Sequence, residues 1–278
     1  MDYTLLALSI LPVILLMIYI NKQDKYQKEP FKCLLKAFLV GILAIPTDLF
    51  TVGVLNSIWY SDTVFYSAFL EAGLPEEFSK LIIFLIFIWH DKNFDEYMDG
   101  IVYATFIGLG FACVENIMYV FGAAEQSWAA GISTSVVRGL LSVPGHFLFG
   151  VVLGYFLSLA KFSKSKAQGS RYIFLGLLLA ATCHGLFDWL LMATDALGDG
   201  FAVMLTIAFF VGDFFLWKLG VKFIRKQQEN SRLQAENSQT DDDQDVNDNT
   251  FGDNGNNTFS ASQDDEYKQI DWNAGFKN

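Results

Sequence analysis

The sequence is poor in cysteine and histidine, with three of each among 278 residues, and several well-known catalytic motifs are missing. The cysteines lie far apart and form no CxxC pair, so the sequence indicates neither a disulfide framework nor a cysteine zinc site. HExxH and GxSxG are both absent, and no two histidines fall on one predicted helix. Residue spacing therefore does not single out zinc, and nucleophilic catalysis is disfavoured.

Apolar residues are abundant instead. They make up 53% of the chain, which contains 27 phenylalanines. Several apolar runs approach about 20 residues, the length that crosses a bilayer as a helix. We therefore predict an all-α, polytopic transmembrane helical bundle of about seven spans. The predicted helices cover about residues 4–20, 34–55, 66–89, 98–121, 137–160, 171–193 and 201–221.

Basic residues occur in alternate loops of this arrangement. Lysine and arginine are concentrated in the first, third and fifth loops and after the last helix, whereas the loops near 57–65, 122–135 and 194–200 contain neither. The positive-inside rule then predicts an outside N-terminus and a cytoplasmic C-terminus in the plasma membrane. The first helix is not expected to be a cleaved signal peptide, because basic residues follow it rather than precede it.

The negative charge is unevenly distributed along the chain. The net charge is -11, and residues 227–278 carry most of it in a polar stretch with few aliphatic residues. Such a composition is typical of disorder. We therefore predict a membrane domain over residues 1–226 and an acidic, disordered cytoplasmic tail over residues 227–278.

Ionisable residues also occur inside the predicted helices, at similar depths. With a helical rise of about 1.5 Å per residue, Glu76 and Glu77 lie roughly 15 Å below the outer surface. The same reasoning places Glu115 at about 9 Å and both His146 and His184 near 14 Å. Charged groups at such depths are costly and usually face a polar cavity. We expect these five residues, carried by four helices, to form one site.

Local spacing supports a built site. Glu76 and Lys80 are four residues apart and share a helix face, as do His184 and Asp188. In the second pair the carboxylate is suited to orient the imidazole. We expect Arg138 to pair with Glu115 or with Asp188.

The stretch GLPEEFSK, residues 73–80, predicts a helix that begins inside the membrane. Gly73 permits a break, and Pro75 suits the first helical position. The two glutamates would then lie in the first turn, where free N–H groups favour anions. Pro144 and Gly145 are expected to do the same before His146.

Several chemistries fit this layer of polar residues. A buried carboxylate can act as a general base toward water, while a histidine or asparagine donates hydrogen bonds to an oxyanion. Two histidines and one glutamate are also a plausible zinc ligand set. A proton-coupled transporter or channel and an inactive membrane scaffold are the alternatives of other classes. The absence of an internal repeat in the sequence argues against a transporter.

Three short motifs, in order, carry a family resemblance. Residues 76–80 fit EExxK, residues 111–116 fit FAxxEN, and residues 184–188 fit HxxxD, with Arg138 and His146 between the last two. Over about residues 70–193 the chain resembles the PrsW family of intramembrane proteases, which is related to the CAAX prenyl proteases and the bacteriocin-processing Abi proteins. The acidic tail lies outside the resemblance.

The resemblance implies an endopeptidase that cuts membrane-anchored proteins within the lipid bilayer, as in site-1 cleavage of an anti-sigma factor. It assigns the water-activating base to Glu76, supported by Glu77, with Lys80 tuning the pair. Glu115 and His146 would complete the water site, although the CAAX branch usually has histidine at the position of Glu115. The remaining expected site residues are His184 near the oxyanion, with Asn116, Arg138 and Asp188 in supporting roles.

Family members are described both as glutamic proteases and as metalloproteases, so the resemblance leaves the cofactor open. The favoured mechanism requires none. If zinc is present, its expected ligands are Glu115, His146 and His184. The expected partner is a membrane-anchored protein substrate, and no nucleic acid is expected.

Overall fold

The computed structural model describes residues 2–196 and 199–250, and these residues form helices and short connections without any β-strand. A π-helical segment, Ser67–Gly73, lies between the fourth and fifth α-helices. The α-helices are α1 Tyr3–Gln23, α2 Phe31–Ile42, α3 Ala44–Ile58, α4 Val64–Tyr66, α5 Leu74–Phe87, α6 Tyr97–Ala124, α7 Trp128–Leu140, α8 Ser142–Lys161, α9 Lys166–Ala196 and α10 Asp199–Thr250.

Among the described residues, six stretches are long and apolar enough to cross a membrane, so the chain is a multi-pass helical membrane protein. They are Tyr3–Gln23, Phe31–Ile58, Tyr97–Ala124, Trp128–Lys161, Lys166–Thr194 and Gly200–Ser238. The predicted span over 66–89, which corresponds to α4, the π-helical segment and α5, is not among the six. The count of seven spans and their direction therefore stay predictions.

Helix α6 lies at the centre of the bundle and is buried from Met98 to Cys113. Its closest packing partners are α8 and α2, and glycines stand at the crossings. A Cβ atom at Gly154 would overlap the carbonyl of Gly100, and one at Gly41 would overlap that of Ile107. Small residues of this kind let helix backbones approach closely where lipid offers no hydrophobic driving force. The outer helices leave large apolar side chains exposed, as a lipid-facing surface requires.

The GLPEEFSK stretch does not begin a new helix after a break. Gly73 has helical backbone angles, φ -49° and ψ -55°, and the chain passes from the π-helical segment directly into α5. Pro75 does lie in the first turn of α5, as predicted. Glycine is required at residue 73 for packing instead: a Cβ there would lie 2.7 Å from the backbone nitrogen of Gly185 on α9.

A break does occur before His146, but earlier than Pro144 and Gly145. Helix α7 ends at Leu140 and α8 begins at Ser142, so the two helices meet at Leu141. The predicted span over 137–160 therefore combines the end of α7 with α8. This junction turns the chain where Arg138 and His146 enter the same site.

The last helix is much longer than the predicted span over 201–221. Helix α10 continues to Thr250, and Gln227 and Ser231 within it are buried. The predicted disorder of residues 227–278 thus differs from the structure over residues 227–250. For residues 251–278 the prediction lies outside the described residues.

Candidate active site

Two carboxylates and two imidazoles converge inside the bundle. One ligand atom from each of Glu76, Glu77, His146 and His184 lies within 4.8 Å of the other three, and all four residues are buried. We call these four residues the convergent group. Both glutamates come from the first turn of α5, while the histidines come from α8 and α9. The structure therefore brings these four predicted site residues together from three helices.

Lys80 lies between three members of this group. Its Nζ atom is 2.7 Å from Glu77 Oε1, 3.2 Å from Glu76 Oε2 and 3.1 Å from His146 Nδ1. An ammonium group only donates hydrogen bonds, so His146 Nδ1 accepts and the imidazole proton lies on Nε2. The ammonium also lies 4.3 Å from the centre of the Phe111 ring, which adds a cation–π contact.

Glu115 lies behind His146, on the side away from Lys80. Its Oε2 atom is 2.8 Å from His146 Nε2 and 2.8 Å from Arg138 Nη2. Arg138 Nε also donates to Asn116 Oδ1 at 3.2 Å, and Asn116 Nδ2 donates to the carbonyl of Ser9 at 2.8 Å. Of the two partners predicted for Arg138, the structure has Glu115. This chain of contacts fixes the rotation of the His146 ring through residues of four helices.

His184 is held on several sides. Its Nδ1 atom is 3.0 Å from Glu77 Oε1, and its Nε2 atom is 3.4 Å from Asp188 Oδ2 and 3.9 Å from Glu76 Oε2. The ring stacks on Phe149, with 4.5 Å between centroids and an interplanar angle of 18°. The predicted contact between His184 and Asp188 is present, and the ring cannot turn without losing the Glu77 contact.

The two adjacent glutamates differ in their surroundings. Glu77 is fully enclosed, with 0% of its side chain exposed, and its Oε1 atom accepts from both Lys80 and His184. The Glu76 side chain is 11% exposed, and its contacts to Lys80 and both histidines are made by Oε2. Glu76 is therefore the carboxylate that a water molecule can reach, while Glu77 fixes the groups around it.

The donor types of the convergent group fit a zinc ion, which commonly takes imidazole and carboxylate ligands. This set shares His146 and His184 with the set predicted from the sequence but contains Glu76 and Glu77 in place of Glu115. Glu115 contacts the far side of the His146 ring, where it is suited to orient a ligand rather than to be one.

Some residues around the site were missed in the sequence analysis. Phe111 and Phe149 form aromatic contacts with the Lys80 ammonium and with His184, respectively. Asp48 on α3 was not expected in the site, yet it lies close enough to Lys80 to interact electrostatically, and its Oδ1 atom is buried without a hydrogen-bond partner. The position of Phe149, one helical turn after His146, is the one signal that could have suggested an aromatic wall.

Comparison with known proteins gives one consistent result. The model of the PrsW family of intramembrane metalloproteases matches residues 29–213. Protease PrsW of Clostridioides difficile (strain 630) is 32% identical over 238 residues, which cover 84% of this chain and 94% of that protein. Protease PrsW of Bacillus subtilis (strain 168) is 33% identical over 233 residues, which cover 84% of this chain and 100% of that protein. No solved structure matches. The chain therefore belongs to the PrsW family of intramembrane proteases.

Proposed function

We propose that this PrsW-family protease hydrolyses peptide bonds with a water molecule activated by Glu76. The observation that carries the proposal is the contrast between the two glutamates: Glu77 is sealed by its contacts, and Glu76 is partly accessible at the centre of the convergent group. A carboxylate in this position can remove a proton from water as the oxygen attacks a carbonyl carbon.

The neighbouring groups have distinct tasks in this mechanism. Lys80 compensates the charge of both carboxylates and holds them at fixed positions. His184 is the imidazole that we assign to stabilise the oxyanion that forms, and Asp188 orients it. His146 is fixed by Glu115, and Arg138 and Asn116 support that carboxylate in turn. Pre-oriented groups of this kind require little reorganisation during the reaction.

A zinc ion, if one is bound, would be held by donors of the convergent group, and it would supply Lewis acidity toward water or the substrate carbonyl. Three of these donors contact Lys80, so the ammonium and the ion would compete for the same lone pairs. Lys80 is therefore the residue whose position should differ between a metal-bound and a metal-free state.

The location of the site supports a substrate class. The convergent group lies among helices that are apolar enough to cross a membrane, and this favours a substrate that is itself anchored in the membrane. An anti-sigma factor that is cut at its first site is the candidate suggested by the family resemblance.

The test compares new N-termini among the membrane proteins of cells that produce wild type, Glu76→Gln or Glu71→Gln at matched levels. Glu71 is the matched control, because it lies in the adjoining π-helical segment and bonds to Asn56 and Ser67 instead of the convergent group. We expect termini that appear with wild type and Glu71→Gln and are lost with Glu76→Gln. A general base of this kind contributes about 10²- to 10⁴-fold to the rate.

Identical sets of termini from wild type and Glu76→Gln would contradict the proposal. The inactive scaffold or a transport function would then become the better account of the convergent group. Loss of the termini in both variants would point to damage in the folding of this helix, which the amount of full-length protein in the membrane would reveal.

A further inference from the structure

A second group of buried acids lies far from the convergent group. Asp24, Glu29, Glu96 and Asp99 are 0%, 7%, 4% and 0% exposed, respectively. They come from the loop between α1 and α2 and from the start of α6. We call them the carboxyl cluster, and we call the end of the bundle that carries these loops the Lys-rich end. The positive-inside rule predicts that this end faces the cytoplasm.

Backbone groups and one hydroxyl satisfy only part of the carboxyl cluster. Asp24 Oδ2 accepts from the backbone N–H of Glu29 at 3.2 Å, and Asp99 Oδ2 accepts from that of Glu96 at 2.7 Å. Tyr103 donates its hydroxyl to Glu29. Asp24 Oδ1, Glu96 Oε1 and Asp99 Oδ1 are buried without a hydrogen-bond partner. An unpaired carboxylate oxygen in such a place costs several kcal/mol unless something neutralises it.

The acids lie against one another in pairs. Asp24 interacts electrostatically with Glu96, and Glu29 interacts with Asp99. Two buried carboxyl groups repel each other when both are ionised, and a proton on one of them supplies the donor that an ionised carboxylate lacks. Each pair therefore needs a proton or a cation.

Charged groups on the neighbouring elements either bind other partners or lie outside the two pairs of acids. On α2, Lys36 binds Asp91; on α8, Lys161 donates to the carbonyl of Trp89. On α10, Arg232 binds Glu229 and Glu236. The other titratable groups nearby are Lys28 in the first loop, Cys33 on α2 and Asp95 before α6. Among the described ion pairs, none joins a basic residue to the carboxyl cluster.

A metal ion is a poor fit to this arrangement. Hard divalent ions need several oxygen ligands around one point. Within the described part of the chain, the convergent group is the sole set of three or more acids and histidines whose donor atoms meet that closely. The donor atoms of the carboxyl cluster do not meet in this way, and a proton on a carboxyl group gives it the donor that an ionised carboxylate lacks. The pKa values agree with protonated carboxyl groups, since burial raises the pKa of Glu29 to about 7 and the pKa of Glu96 to about 8.

The carboxyl cluster is covered by the part of α10 that follows the predicted span over 201–221. Ser231 is 1% exposed and accepts a hydrogen bond from the backbone N–H of Met98, two residues after Glu96, at 2.9 Å. Gln234 donates to the carbonyl of Asp95 at 2.8 Å, and Gln228 to that of Gln23 at 2.6 Å. Side chains of α10 thus bind the end of α1, next to Asp24, and the segment before α6, next to Glu96.

We propose that the carboxyl cluster is a proton-dependent latch that holds the membrane-distal part of α10 on the Lys-rich end. With a proton shared in each pair, the two loops and α10 pack as one unit. When the protons leave, four buried negative charges repel one another, and the loops and Ser231 separate. The part of α10 that carries Gln228, Ser231 and Gln234 is then released from the bundle in response to the pH at this side of the membrane. The latch is independent of the proposed chemistry at Glu76.

The first test measures trypsin cleavage of the full-length protein after Lys226 and Arg232, in wild type and in Glu96→Gln. The amide has nearly the shape of the protonated acid and carries no negative charge at any pH. At about pH 9 we expect cleavage of the variant to be at least several-fold slower than that of wild type, and at about pH 6 we expect equal rates. Comparing variants at one pH removes the pH dependence of trypsin. Asp62→Asn, an exposed acid in another loop, is the matched control and should behave as wild type.

The second test uses the infrared carbonyl band of protonated carboxyl groups in the wild-type protein near neutral pH. We expect this band to be weaker in Glu96→Gln and unchanged in Asp62→Asn. Faster cleavage of Glu96→Gln at about pH 9, or a wild-type protein with no such band, would overturn the proposal. So would a thermal midpoint that rises with Mg²⁺ or Ca²⁺ in wild type but not in Glu96→Gln, because the carboxyl cluster would then be a metal site.

Discussion

Lys80 determines the charge balance of the convergent group. Its ammonium lies within 3.2 Å of both glutamates and of His146 Nδ1, and the residue is 3% exposed. Without this cation, two adjacent carboxylates would face each other in a medium that solvates them poorly. Removing one partner of a buried ion pair therefore destabilises the fold strongly, because the remaining charge is left without a counterion.

Replacing Lys80 by methionine should destabilise the protein by about 3–5 kcal/mol, because Glu77 loses its counterion. Thermal unfolding in detergent or nanodiscs should show the loss as a lower midpoint. The double variant Lys80→Met/Glu77→Gln should recover part of it, since the orphaned charge is then gone. A double variant less stable than Lys80→Met would show that the unpaired charge of Glu77 does not cause the loss of stability.

Glu115 should affect turnover rather than substrate affinity. It contacts His146 Nε2 and Arg138, away from the accessible side of Glu76. For Glu115→Gln we expect about a 10- to 100-fold lower kcat with KM nearly unchanged, as for other residues that orient a functional histidine. The measurement is steady-state hydrolysis of a membrane-anchored substrate by purified protein. An increase in KM alone would mean that Glu115 contacts the substrate.

At the scale of elements, the π-helical segment Ser67–Gly73 joins two parts with different partners. Before it, Tyr66 donates its hydroxyl to Asn56 on α3. After it, α5 carries Glu76, Glu77 and Lys80 into the centre of the bundle. The segment packs closely on α9, where Phe69 covers Gly185. π-Helical turns are rare and frequently occur at functional sites.

Gly73→Ala should destabilise the protein by about 1–3 kcal/mol, because the new Cβ would meet backbone atoms of α9 that have no room to move. The closest of them, Gly185 N, would be 2.7 Å away. Gly122→Ala is the matched control in a helix, since a Cβ there meets nothing within 4 Å. The thermal midpoint of Gly73→Ala should be clearly lower than that of Gly122→Ala. Equal midpoints would mean that the backbone of α9 shifts to make room for the new Cβ.

The sequence predicted the height of the site residues along their helices better than the direction in which they point around the helix axes. Depth counting placed the glutamates and histidines at one level, and spacing within one helix predicted the contact between His184 and Asp188. Neither reveals how a helix is rotated about its axis. For that reason Glu115 was expected, if zinc is present, to be a ligand together with His146 and His184, whereas it lies behind His146. The contact of Lys80 with His146 joins residues 66 positions apart and depends on the packing of α5 against α8, which no local pattern encodes.

At the scale of the whole molecule, long apolar runs predicted the helical membrane fold because a bilayer leaves few alternatives to helices. The end of the folded part was harder to predict. Residues 227–238 are polar, and polar composition favours disorder unless a partner surface binds the segment. Here the Lys-rich end provides that surface, and side chains of α10 bond to backbone carbonyls at the end of α1 and before α6.

Two truncations should locate the end of the folded part. A chain that ends after Ser238 keeps the contacts of Gln228, Ser231 and Gln234, and its thermal midpoint should match that of the full chain. A chain that ends after Lys226 loses them and should unfold several degrees lower, since each lost hydrogen bond contributes about 0.5–1.5 kcal/mol. Equal midpoints for the two truncated chains would place the boundary at residue 226, as the composition predicts.

The predicted direction of the bundle can be tested with single cysteines. After the three native cysteines are replaced, Asp62→Cys and Ser165→Cys place one thiol at each end, and both positions are exposed. A membrane-impermeant maleimide should label residue 62 in intact cells and residue 165 only after the cells are opened. The opposite pattern would invert the bundle and place the Lys-rich end outside, contrary to the positive-inside rule.

The π-helical segment also has a consequence for the rotational phase of α5. A π-turn contains one residue more than an α-turn, and one residue of an α-helix corresponds to about 100° of rotation. Removing a single residue between 67 and 73 would return the segment to α-helical spacing. Tyr66 would keep its contact with α3, but Glu76 and Glu77 would rotate by roughly a quarter turn away from the histidines. The same sequence motif, EExxK, would then point at lipid or at another helix. The direction in which Glu76 and Glu77 point thus depends on seven residues that are not part of the convergent group and determine only the rotation of α5.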